Sequence, residues 1–138
     1  MAERNIVILG NGGAACHAVS AARHAGFSGK IHMISDIREP AFNPMLAPYY
    51  LKGHIAWEHC FPFGADFYKR HEVTCHFGSP VRKLNAQART VTTEDGFELA
   101  WDQCLVATGA NAVMPPVPGL SASPLPTRCF VRPQLPLP

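Results

Sequence analysis

Three features of the 138-residue sequence predict an α/β fold built on a parallel sheet. The apolar run Ile6-Val7-Ile8-Leu9 leads straight into the glycine-rich turn Gly10-Asn11-Gly12-Gly13-Ala14-Ala15. A helix-periodic, alanine-rich segment and a second apolar run complete a strand–helix–strand unit of about thirty residues. Further along, alternating segments flank Glu94-Asp95-Gly96, a hairpin signal followed by one more short apolar strand.

Ile6 to Leu9 has the continuous apolar character of a strand covered on both faces. Ala14 to Ala25 reads as a helix, with Ala15, Ala18, Val19 and Ala22 on one face at helical spacing. Gly26 ends it and Gly29 helps turn the chain. Lys30 to Ser35 is a second strand with Asp36 at its carboxyl end. After Asp66 come Phe67-Tyr68-Lys69-Arg70 and short apolar pieces at Val73 to Phe77 and Val81 to Leu84. Arg89 to Thr93 and Phe97 to Trp101 form the hairpin, and Gln103 to Ala107 runs into Thr108-Gly109-Ala110.

The first turn has the G-x-G-x-x-A spacing of a dinucleotide phosphate loop. Gly10 permits the tight turn, Gly12 lets backbone approach a pyrophosphate, and Ala15 keeps the helix close to the sheet. The helix N-terminus adds unpaired N–H groups and a partial positive charge. Glycines also serve plain turns, so the surrounding strand–loop–helix–strand order carries the reading. Asp36 stands 24 residues after Gly12, near the spacing of the acid that accepts ribose hydroxyls of an adenosine. A 2′-phosphate would be repelled there, which disfavours an NADP role for this loop.

Linked motifs beyond this unit resemble a known family. They are Asn43-Pro44-Met45-Leu46-Ala47-Pro48-Tyr49-Tyr50-Leu51-Lys52-Gly53, the hairpin, Leu105-Val106-Ala107-Thr108-Gly109, and Pro116-x-Pro118-Gly119. With the glycine loop and Asp36, they are similar to the N-terminal FAD-binding portion of NAD(P)H-dependent flavoproteins in the pyridine nucleotide–disulfide oxidoreductase superfamily. The ferredoxin, rubredoxin and nitrite reductase branch is the nearest in flavour, over roughly residues 4 to 120.

That resemblance implies a Rossmann-like FAD-binding fold of three layers with a small β-meander, incomplete in this chain. It implies that Gly10, Gly12, Gly13, Ala14 and Ala15 surround the FAD pyrophosphate and that Asp36 holds the adenosine ribose. The backbone at Val81 would meet the adenine edge, and Ala107, Thr108 and Gly109 would lie against the middle of the cofactor. Asn43 and Pro44 occupy the place near the flavin where many relatives carry Arg-Pro. Pro48 stands where ferredoxin-reductase relatives often carry Lys. Both departures remove positive charge from the flavin neighbourhood.

Cys16, Cys60, Cys75, Cys104 and Cys129 contain no C-x-x-C or C-x-x-x-x-C pair, so the paired thiols of the disulfide reductases are not expected. Cys16 and Cys104 fall on apolar faces and read as small core residues. An odd number of cysteines without framework spacing suits a reducing cytoplasm. His54, His59, Cys60, His71, Cys75 and His76 gather in one stretch but lack the tight pairs of a zinc site, so no metal is expected. The net charge of +2, from scattered basic residues, does not argue for nucleic acid. No apolar run is long enough for a bilayer, and Met1-Ala2-Glu3-Arg4 leaves no room for a signal peptide, so a cytoplasmic protein is expected.

Residues 111 to 138 hold 8 of the 13 prolines, and no acidic residue follows Asp102. Residues 1–120 are therefore expected to form the first part of an FAD-binding domain and 121–138 a proline-rich extended or disordered tail. In the resembled family an inserted NAD(P)H domain and a returning closing strand would follow Gly119; neither is present here. NAD(P)H is thus an expected partner only where that domain is supplied. An electron-transfer protein or a complementing subunit is a further expected partner. Three functions stay open on the sequence: the FAD-binding part of an oxidoreductase, a non-catalytic nucleotide-binding subunit or truncated fragment, and an NAD-binding module of a dehydrogenase. No side chain stands out as an acid, base or nucleophile; in the first reading the cofactor carries the chemistry.

Overall fold

A computed structural model describes residues 4–64 and 66–110. The described residues up to Thr108 form one compact unit. This unit contains a four-stranded parallel sheet of order β3-β2-β1-β7 and a three-stranded antiparallel sheet of order β4-β5-β6. Its parallel strands are β1 (Asn5–Leu9), β2 (Lys30–Ser35), β3 (Val73–Phe77) and β7 (Gln103–Val106). The meander is β4 (Val81–Asn85), β5 (Thr90–Thr93) and β6 (Glu98–Ala100). Helix α1 (Gly13–His24) links β1 to β2, and the short helices α2 (Ala47–Leu51) and α3 (Phe67–Arg70) lie between β2 and β3.

The period-2 alternation of strand side chains divides the core into two layers. On one face Ile8, Ile31 and Met33 pack with Ala15, Cys16 and Val19 of α1 and with Phe67 and Tyr68 of α3. On the other, Val7, Leu9 and Ile34 meet Val91 of the meander, with Val81, Leu99 and Trp101 beside them. Helix, sheet and meander are the three layers expected. Register is tight: Ile6 pairs with Ile31, and Val7 with both His32 and Cys104.

Differences from the sequence reading are local. Helix α1 begins at Gly13 and ends at His24, one residue earlier at each end than the apolar spacing indicates. The segment after Asn43 folds into a 3₁₀ turn at Pro44–Leu46 and then α2, for which sequence periodicity gives no signal. Cys16 is fully buried, as expected, whereas Cys104 is half-buried beside the meander. The proline-rich segment 121–138 lies outside the described residues.

Arg23 holds the lower end of this unit. Its guanidinium donates to the carbonyls of Phe27 and Gly29 at 2.8 Å each and of His71 at 2.9 Å, joining the end of α1 to the turns before β2 and β3. Lysine keeps the charge but cannot reproduce the fork. Arg23→Lys is therefore expected to lower stability by about 1–2 kcal/mol, read from urea unfolding midpoints.

Candidate functional site

Strand order reverses at β1. From there the chain steps outward through β2 and β3, then returns to place β7 on the opposite side. In open parallel sheets the crevice outside the carboxyl ends of strands at such a switch point is where ligands bind. The Gly10–Ala15 turn leaves β1 at this point.

Gly10 has a structural reason to be glycine. Its φ is +111°, its N–H donates to the Ile34 carbonyl at 2.7 Å, and a Cβ would run into the Ala107 carbonyl. Gly12 and Gly13 differ. Gly12 has an extended backbone (φ −109°, ψ −174°) that any residue adopts, and among the described residues a Cβ at either position would meet nothing within 4 Å. Neither turn geometry nor packing calls for glycine there. The space in front of them suits a group that must come close to backbone. Helix α1 opens at Gly12 with no acidic residue in its first turn and, among the described residues, no side-chain cap. The N–H groups of an uncapped first turn, with the helix dipole behind them, favour an anion. Ala14 is exposed at the start of α1, while Ala15 is fully buried against the sheet.

Of the other expected positions, Asp36 follows β2 and Ala107 follows β7 at this end of the sheet. Asp36 is exposed immediately after β2. The chain before Val81 runs alongside it, with Ser79 N–H donating to the Ser35 carbonyl at 2.9 Å and Gly78 N–H to that of Ile37 at 3.3 Å. Val81 itself pairs with Thr93 in the meander. Ala107 continues from β7, its N–H donating to the Leu9 carbonyl at 2.8 Å, and Thr108 follows, exposed. Gly109 has φ +74°, a turn conformation that favours glycine. The Asn43 carboxamide oxygen accepts from Met45 N–H at 3.1 Å, capping the 3₁₀ turn that begins at exposed Pro44. Asn43 thus has a local structural task in addition to any contact with a ligand.

Sequence reasoning misses the fixing of the loop by Asn11. Its side-chain amide donates to the Glu39 carbonyl at 3.0 Å, and its oxygen accepts from the Tyr68 hydroxyl at 2.7 Å. No spacing rule links residues 57 apart, so nothing in the one-dimensional pattern marks this pair. Burial pushes the Tyr68 hydroxyl up to about 12, keeping it a neutral donor at ordinary pH.

Across the sheet, His32 Nδ1 and His76 Nε2 lie 3.2 Å apart, and Phe97 stacks on His76 at 4.9 Å. Burial lowers His32, helped by His76 and Lys30; burial also lowers His76, against an opposing pull from Asp95. The folded state thus holds fewer protons here than the unfolded chain. Its contribution is full above about pH 6.5 and is lost as pH falls through the lowered values. Thermal unfolding should therefore show a steeper loss of stability from pH 7 to 5 in the parent than in His76→Gln. Among the described residues no three His, Cys, Asp or Glu side chains are grouped to hold a metal ion. No helix among them is long and apolar enough to cross a membrane.

Known proteins share this arrangement. The profile of the pyridine nucleotide-disulphide oxidoreductase family matches residues 4–132. The epsilon subunit of NADH-dependent phenylglyoxylate dehydrogenase from Aromatoleum evansii is 30% identical over 114 residues, 83% of this chain and 27% of that protein. Rhodocoxin reductase from Rhodococcus erythropolis is 33% identical over 118 residues, with the same 83% and 27% coverage. The chain thus spans about a quarter of the length of these relatives. In the crystal structure of the covalent putidaredoxin reductase–putidaredoxin complex, a chain superposes with a TM-score of 0.77 at 28% identity, covering 85% of this chain and 28% of that one. The sequence match spans the glycine loop, the meander and β7 together, and the chain belongs to the pyridine nucleotide-disulphide oxidoreductase family.

Proposed function

We propose that this chain is the first part of the FAD-binding domain of an NAD(P)H-dependent flavoprotein oxidoreductase. The observation that carries the reading is the open space at Gly12 and Gly13 in front of an uncapped helix start, at the switch point of the sheet. Gly10, Gly12, Gly13, Ala14 and Ala15 would cradle the pyrophosphate, and Asp36 would accept from the adenosine ribose. Val81 would offer backbone to the adenine, Ala107, Thr108 and Gly109 would pass along the middle of the cofactor, and Asn43 and Pro44 would border the flavin end. Bound FAD supplies hydride acceptance and onward electron transfer; the residues here bind and orient it.

The relatives named as rhodocoxin reductase and putidaredoxin reductase support an electron-transfer protein as the acceptor. The relative named as a dehydrogenase subunit supports a second reading, in which the chain is a nucleotide-binding subunit completed by another polypeptide. Residues 1–120 are assigned to the FAD-binding part in either case. A comparative titration tests the cofactor: FAD should bind more tightly than NADH, and NADH should displace it poorly. Preference for NADH would favour a dehydrogenase module and overturn the assignment.

A further inference from the structure

We infer that Tyr68 is a positioning residue for dinucleotide binding, acting through Asn11 to hold the phosphate loop in its binding shape. The inference rests on the FAD reading above and adds to it a residue outside the loop. The Tyr68 ring is buried in the helix-side core, with Phe67 and Phe77 each edge-on to it at 5.3 Å, so its hydroxyl has a fixed place. That hydroxyl donates to Asn11 Oδ1 at 2.7 Å and accepts from Ala41 N–H at 2.9 Å. Asn11 Nδ2 in turn donates to the Glu39 carbonyl at 3.0 Å.

Three pieces of chain separate in sequence therefore meet at one oxygen: α3, the Gly10–Gly12 turn, and the loop that follows Asp36. Asn11 stands between the glycine whose geometry is fixed by packing and the glycine that faces open space. Its carboxamide uses both ends, oxygen to Tyr68 and nitrogen to Glu39, which sets the orientation of the peptide units leading into Gly12. A loop that must present N–H groups to a pyrophosphate gains affinity when its shape is held before the ligand arrives. Removing the hydroxyl leaves the oxygen of Asn11 and the N–H of Ala41 without this partner, while the ring still fills its place in the core.

The test uses the 138-residue chain with Tyr68→Phe, Asn11→Ala and the double variant. Binding of FAD and of ADP, which carries the pyrophosphate without the flavin, is measured by calorimetry beside thermal unfolding without ligand. Each single variant should weaken both ligands about tenfold, and the double variant should be no weaker than the weaker single. A merely structural role predicts a lower melting temperature with unchanged ADP affinity, or additive losses in the double variant, and either result overturns the inference. Should Tyr68→Phe not fold, Asn11→Ala decides alone: unchanged affinity overturns the proposal, a tenfold loss supports it. Failure of the parent chain to bind either ligand would overturn the FAD reading and this inference together. A parent that binds beside variants that bind equally well would overturn this inference alone.

Discussion

Gly12→Val is expected to raise the Kd for FAD at least about a hundredfold, the equivalent of about 2.7 kcal/mol, while the protein remains folded. The expectation comes from the open space ahead of the Gly12 backbone. A Cβ placed there has no atom of the described residues within 4 Å and demands no unusual φ, so the fold is expected to tolerate the substitution. The side chain does occupy the ground over which a pyrophosphate would reach the first-turn N–H groups of α1. Keeping the anion out to side-chain distance removes both the hydrogen bonds and the strongest part of the helix field. Valine is a poorer residue than glycine at a helix start, so melting should fall by only a few degrees. Equilibrium titration beside thermal unfolding separates the two effects. A variant that binds FAD like the parent would remove Gly12 from the site.

Gly10→Ala is expected to do the reverse. At φ +111° an L side chain is strained, and its Cβ would collide with the Ala107 carbonyl, a rigid backbone atom. Strain of about 1–2 kcal/mol and overpacking of about 1–3 kcal/mol add to a large part of the stability of a small domain. Melting should drop by roughly 10–20 °C. The pair of variants therefore divides the motif: the fold demands glycine at position 10, and on the proposed FAD reading the ligand would demand it at position 12. A Gly10→Ala protein with parental melting would show that β1 and β7 are not joined as closely as the structure places them.

This division could not be read from the spacing G-x-G-x-x-A, which assigns a role to each position but cannot say what surrounds it. The strand–loop–helix–strand unit was legible because Ile6 to Leu9, Ala15 to Ala22 and Lys30 to Ser35 carry local periodicities that survive folding. The hairpin was legible for the same reason, through Asp95-Gly96 between alternating segments. What escaped was long-range or aperiodic. Arg23 reaches carbonyls on both sides of the chain reversal after α1, Tyr68 reaches Asn11, and the Asn43–Leu51 stretch folds by a cap and proline rather than by a repeating apolar face. Each depends on which segments meet, and that is decided by the sheet order β3-β2-β1-β7 rather than by neighbours in sequence.

The exposed end of that sheet bears on how the chain should be handled. Among the described residues β7 has no strand beyond it, and Val106 is 59% exposed there with Leu105. An uncovered apolar edge strand is a site for pairing with other chains. Binding measurements should therefore be made at low protein concentration, with the oligomeric state followed in parallel.

The most direct measurement is reconstitution of the 138-residue chain with FAD, followed by desalting and an absorption spectrum of the protein fraction. A yellow protein that keeps the flavin band is expected, with FAD retained better than NADH under the same conditions. A colourless protein fraction, or one that holds NADH more tightly than FAD, would contradict it.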